Sequence, residues 1–285
     1  MPEKTDYIFE IKRMKAEKNA IILAHYYQTG DIQDIADFVG DSLALSQKAA
    51  SNDADIILFA GVRFMAETAK ILAPGKKVLL PDINAGCSLA DSCKAKDFKK
   101  FIKDNPGRTV VSYVNTTAEI KALSDIICTS SNAVSIVNFL PPEEKIIFAP
   151  DRNLGNYVLN KTERDIIVWN GTCHVHEAFS LEAILKLKEQ NSAAKIIVHP
   201  ECELPIRMIA DYIGSTAALL KFTKEDDGNC YIIATEPGII HQMKKENPDK
   251  IYIPAPPRDS TCGCSGDGLS GPHRQLRHHR ADRDG

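Results

Sequence analysis

Three residues able to bind or move a proton stand at one spacing from three hydroxyls. His25, Tyr113 and His199 each follow an apolar run (AIILA, TVVS, KIIV), and seventeen residues after each comes Ser42, Ser130 or Thr216. Two residues after each come Tyr27, Asn115 and Glu201. A thiol follows further on. Cys87 and Cys173 lie 62 and 60 residues after His25 and Tyr113, and the Cys262/Cys264 pair lies 63 and 65 after His199. Such a repeat implies one shared site at a pseudo-threefold axis, where each unit supplies a thiolate and a hydroxyl. A serine or threonine ahead of a helix also caps it, and a lone histidine at a strand end is more often a packing residue. The threefold recurrence is what favours a site.

Cysteine usage narrows the metal chemistry. Eight cysteines in a chain without a secretion signal favour metal ligation or redox work over a disulfide framework. Cys87 (NAGCSLADSC) and Cys173 (NGTCHVH) lie in Gly-, Asn- and Ser-rich loops where packing does not call for cysteine. Cys128 and Cys230 lie in apolar runs and read as buried thiols; Cys93 and Cys202 have no counterpart in the repeat. Structural zinc favours paired ligands at Cys-x-x-Cys spacing, whereas Cys87 and Cys173 are single and 86 residues apart. One thiolate per unit suits a [4Fe–4S] cluster with one open iron, a Lewis acid for a substrate hydroxyl or carboxylate. Structural zinc in a non-enzymatic α/β binding protein is the competing reading.

Parallel α/β layers would position these groups. After an amphipathic helix over 7–18, short apolar runs alternate with longer amphipathic stretches. The strands read as AIILAHY, ADFVG, DIILFAG and KVLLPD; TVVSYV, DIICT, KIIFAP and DIIVW; KIIVHP, DYIGST, CYIIATE and KIYIPA. The fold expected is three pseudo-threefold-related α/β/α sandwich units, each with a four-stranded, mainly parallel sheet. The boundaries expected are 1–105, 106–190 and 191–264, with an atypical tail over 265–285 whose composition cannot bury a core. Functional residues of such sheets collect at the carboxyl ends of strands. Arg63, Arg152 and Glu236 form a further strand-end set, suited equally to ion pairs and to substrate contact.

The bulk numbers exclude other classes. A net charge of −3 argues against general nucleic-acid affinity. No apolar run approaches the roughly 18 residues that span a bilayer, and the charged N-terminal stretch lacks a signal's apolar core. The expectation is a cytoplasmic protein with no nucleic-acid or membrane partner.

The strings AHYYQ, ADFVGDSLALSQKA, FMAETAKIL, GCSLADSC, YVNTTAEIKALSD, APDRNLG, NGTCHVHE, HPEC and STAAL, in that order over about 20–264, resemble the quinolinate synthase family of NAD biosynthesis. The resemblance implies condensation of iminoaspartate with dihydroxyacetone phosphate to quinolinate, phosphate and water. It also implies a functional link to an aspartate-oxidising enzyme that supplies iminoaspartate. The implied cofactor is a [4Fe–4S] cluster bound by three cysteines, two of them Cys87 and Cys173. Relatives with this type of ending carry a further cysteine and a final helix after the Cys-x-Cys pair, where this chain has Asp267. The third ligand is therefore Cys264 by nearness or Cys262 by repeat spacing. The implied pocket comprises His25, Tyr27, Ser42, Tyr113, Asn115, Ser130, His176, His199, Glu201 and Thr216. Glu201 is the expected base and acid, with Tyr27, Tyr113 and His199 as further catalytic groups. An iron–sulfur hydro-lyase acting on another small acid would use the same open iron.

Overall fold

The computed structural model describes residues 6–258. Among the described residues twelve strands form three four-stranded sheets. The first holds β1 (Ala20–His25), β2 (Phe38–Gly40), β3 (Ile56–Ala60) and β4 (Lys77–Leu79). The second holds β5 (Thr109–Tyr113), β6 (Ile126–Cys128), β7 (Ile146–Ala149) and β8 (Ile166–Val168). The third holds β9 (Lys195–Val198), β10 (Tyr212–Ile213), β11 (Cys230–Ala234) and β12 (Ile251–Pro254). All strand pairs are parallel, more uniform than the mainly parallel arrangement expected. Uninterrupted apolar strands such as IIFA and CYIIA suit sheets covered on both faces.

The strand order is the same in every sheet: second, first, third, fourth. The first strand of each unit is thus central, and the connections leave it in opposite directions. That reversal opens a crevice at its carboxyl end, where His25 ends β1, Tyr113 ends β5 and His199 follows β9. A second repeated device fixes the register. Asp37, Asp125 and Asp211, just before β2, β6 and β10, each accept on Oδ2 from a backbone N–H of the central strand. The donors are Ile22 (2.7 Å), Val110 (2.8 Å) and Ile196 (2.7 Å).

The packing is not threefold. One apolar cluster runs through units one and two, joining Leu23, Ile57 and Phe59 to Val111, Ile146 and Phe148. The third sheet keeps separate clusters, with Ile196, Val198 and Ile232 in one and Ile197, Tyr231 and Ile233 in the other. No helix among the described residues is long and apolar enough to cross a membrane.

Candidate active site

The three crevices face one another, and their side chains join in hydrogen bonds that cross all three units. Tyr113 Oη donates to Glu201 Oε1 at 2.7 Å. His176 Nε2 lies 3.1 Å from Thr235 Oγ1, and Tyr27 Oη lies 3.0 Å from the same hydroxyl and 2.8 Å from Thr216 Oγ1. His199 Nε2 reaches Ser130 Oγ at 3.2 Å. His25, His176, His199, Glu201, Tyr113 and Thr216 are all buried. The sequence spacing thus brought together groups from distant parts of the chain, but Thr235 joins them with no signal in the repeat.

The two strand-end histidines share one local geometry. The Tyr27 N–H donates to His25 Nδ1 at 3.2 Å, and the Glu201 N–H donates to His199 Nδ1 at 3.4 Å. An Nδ1 that accepts is unprotonated, so the proton of each neutral ring sits on Nε2. Burial lowers His199 to about 3, so it is neutral at pH 7 and donates to Ser130. Burial raises the Glu201 carboxyl, but His176, His199 and the Tyr113 hydroxyl together outweigh that and hold it low, at about 2. Burial raises Tyr27 and Tyr113, so both phenols keep their protons.

The expected capping role of the three hydroxyls is corrected by the helix starts. Ser42 and Thr216 are the first residues of the helices Ser42–Ala50 and Thr216–Glu225, whose caps are Asp41 and Ser215. Ser130 precedes Asn132, the cap of Ala133–Phe139. Asp41 Oδ1 accepts from the Ala44 N–H at 2.9 Å and Ser215 Oγ from the Ala218 N–H at 3.3 Å. The capping duty therefore falls one residue earlier in units one and three, leaving the hydroxyls of Ser42 and Thr216 free of it. Ser131 donates to Asp41 Oδ2 at 2.9 Å and lies 3.0 Å from Ser215 Oγ, joining the three units beneath the site. Asn115 places Oδ1 in buried surroundings with no hydrogen-bond partner.

Cys87 and Cys173 occupy equivalent places, each capping a four-residue helix, Ser88–Asp91 and His174–Glu177. Their loops interlock: the His174 N–H donates to Ser88 Oγ at 3.4 Å. A Cβ on Gly171 would lie 2.3 Å from Ser92 Oγ and 2.5 Å from the Pro150 carbonyl, so this approach requires glycine. Burial raises Cys87 to about 11 and raises Cys173 well above the usual thiol value, with the Glu201 charge adding to both. Both thiols are therefore protonated at pH 7, and a cation bound there would draw off their protons. A pair of half-buried thiols drawn from two units whose loops meet fits two of the three thiolates that a cluster asks for. Cys262 and Cys264 lie outside the described residues, as does the tail over 265–285.

The other cysteines are placed by packing. Cys128 and Cys93 are buried in apolar clusters, Cys202 Sγ donates to the Ala234 carbonyl at 3.3 Å, and Cys230 is only partly buried. Of the further strand-end set, Arg63 pairs with Glu67 at 3.0 Å and Arg152 with Glu177 at 2.9 Å.

The family model described as quinolinate synthetase A protein matches residues 9–266. The chain belongs to the quinolinate synthase family. Quinolinate synthases similar to it include that of Synechocystis sp., 60% identical over 93% of this chain and 84% of the relative. Those of Rippkaea orientalis and Trichodesmium erythraeum are each 59% identical over 95% of this chain, covering 82% and 83% of the relatives. As a quinolinate synthase family member the chain is an enzyme of NAD biosynthesis, and the non-enzymatic reading loses its ground.

Proposed function

We propose that this enzyme condenses iminoaspartate, supplied by an aspartate-oxidising enzyme, with dihydroxyacetone phosphate to give quinolinate, phosphate and water. The observation that carries the reading is the largely buried set of Tyr113, Glu201, His176, Thr235 and Tyr27, joined by hydrogen bonds and the His176–Glu201 pair and drawn from three units in a chain of this family. The reaction joins a carbon nucleophile to a triose carbonyl, eliminates phosphate and loses two waters to aromatise the ring. Cys87 and Cys173, with Cys264 or Cys262, would hold a [4Fe–4S] cluster. When bound, it supplies an open Lewis-acid iron for a leaving hydroxyl.

The chain's own groups divide the remaining work. Glu201 takes and returns the substrate proton, and it becomes a stronger base once a substrate displaces the Tyr113 hydroxyl from Oε1. Tyr113 and Tyr27, both protonated, donate to an oxygen that develops negative charge. His199 stays neutral and orients Ser130 through Nε2. Ser42 and Thr216 open helices of nine and ten residues, where free backbone N–H groups and positive dipole ends favour a carboxylate or phosphate. His25 supports the Tyr27 backbone, and Asn115 and His176 complete the pocket wall.

The test is quinolinate formation by anaerobically reconstituted full-length protein given both substrates. Glu201→Gln should lower kcat by about 10²–10⁴, the usual contribution of a positioned acid–base group. Protein with four irons per chain that makes no quinolinate would overturn the reading.

A further inference from the structure

A fourth set of residues keeps the threefold count. Eight positions after His25, Tyr113 and His199 stand Gln33, Lys121 and Arg207, each with a long side chain that ends in N–H donors. In units one and two they act alike. Gln33 Nε2 donates to the carbonyls of Tyr26 (2.9 Å) and Gln28 (2.7 Å), which flank Tyr27. Lys121 Nζ donates to the carbonyls of Val114 (2.9 Å) and Thr116, which flank Asn115. One donor group thus ties the backbone on both sides of a pocket residue. In unit three Glu201 is held through its side chain instead, by Tyr113 and His176, and Arg207 Nε has no partner among the described residues. We propose that Lys121 and Gln33 are positioning residues of the active site, which hold Asn115 and Tyr27 where each meets substrate.

Lys121 is the clearer case, because Gln33 also bonds the Gly238 carbonyl in unit three. Asn115 stands at the apex of a γ-turn, closed by the Thr116 N–H on the Val114 carbonyl at 2.7 Å. Its Oδ1 is a buried acceptor with no partner among the described residues, suited to an N–H or O–H of a substrate. Burial lowers Lys121 to about 8, which leaves it charged at pH 7, and a charged donor makes the stronger hydrogen bond. Unit one fixes the amine in turn. It lies 5.5 Å from the centroid of the buried Phe64 ring. Glu67, on the same helix Arg63–Leu72, accepts from the Ala118 N–H at 2.8 Å. Ala118 opens the four-residue helix that Lys121 ends. That Asn115 and Tyr27 meet substrate rests on the proposed reaction; the backbone clamp does not.

The test is a double-mutant cycle on the full-length, anaerobically reconstituted protein, with Lys121→Met, Asn115→Ala and their combination. Lys121→Met should raise KM about tenfold for the same substrate whose KM Asn115→Ala raises, the worth of one pocket hydrogen bond. Its kcat should stay within about twofold, and Lys121→Met added to Asn115→Ala should cost less than about a further twofold. Lys121→Arg, which keeps a charged donor, should recover most of the lost affinity. Hydrogen exchange reads the turn without turnover: the Thr116 amide should exchange at least about tenfold faster in Lys121→Met and at an unchanged rate in Lys121→Arg. The proposal is overturned if Asn115→Ala leaves both KM values unchanged, if the two losses simply add, or if Lys121→Met shifts only the urea midpoint. Unchanged exchange in Lys121→Met also overturns it. Should Lys121→Met fail to fold, Lys121→Gln carries the same cycle. An unaltered chain that makes no quinolinate sinks the proposed reaction, and the exchange rates then decide the clamp alone.

Discussion

Glu236 shows most simply how a single buried acid sets a pH response. It follows β11 and is 5% exposed, and its Oε2 accepts from the Gly238 N–H at 2.8 Å. Burial raises its carboxyl to about 8, with that N–H only partly offsetting the effect. Its contribution to stability is fully present below about 4.5, its ordinary value, and is lost as pH rises to about 8. Glu236→Gln, which cannot ionise, should gain thermal stability relative to the unaltered chain as pH rises through that window, with the difference flat above it. Paired melting curves from pH 4 to 9 check this, and a constant difference would contradict it. The sequence placed Glu236 correctly at a strand end but could not choose between ion pairing and substrate contact. Its observed state, a neutral acid on a backbone N–H, depends on a burial that no local string encodes.

At the scale of elements, the loop carrying Cys173 is held by close approach. Gly171 leaves no room for a side chain against Ser92 and Pro150. Gly171→Ala should push the Cys173 loop off the Cys87 loop, destabilise the fold by about 1–3 kcal/mol, and lower the iron bound per chain after reconstitution. Denaturant midpoints and iron analysis report the two effects, and unchanged values in both would show that the loops tolerate separation. The twelve strands were legible because parallel, doubly covered strands are written as apolar runs. The helix starts were misread by one residue: spacing singled out Ser42 and Thr216, while Asp41 and Ser215 do the capping. A signal was available, since Asp and Ser are themselves strong caps. Asp37, Asp125 and Asp211 repeat as faithfully as the hydroxyls and stand visibly in ADFVG, SDIIC and ADYIG, yet their role is backbone register. Repetition alone does not separate a structural residue from a chemical one.

At the scale of the molecule, a shared core binds units one and two, whereas many contacts of unit three at the strand ends are polar. Gln33 is central among them. Its Nε2 donates to the carbonyls of Tyr26 (2.9 Å), Gln28 (2.7 Å) and Gly238 (3.0 Å), and its Oε1 accepts from Gln242 Nε2 at 2.8 Å. Gln33→Leu removes the donor to the Tyr26 and Gln28 carbonyls, while the Gly238 carbonyl keeps the His241 N–H, and should destabilise the protein by about 1–3 kcal/mol. The loss should appear as a lowered urea midpoint; a midpoint equal to that of the unaltered chain would mean the clasp carries no weight. The repeat announced three units and a common centre, but not that two would fuse their cores, because such pairing depends on surfaces brought together only by the fold. The threefold frame has one further consequence. An exact C3 site would offer a small ligand three equivalent poses, related by 120° turns and equally populated. Here the corresponding positions hold Tyr27, Asn115 and Glu201, a phenol, an amide and a carboxylate. That inequality lifts the degeneracy, so the three poses related by the repeat would differ in energy instead of sharing the site equally.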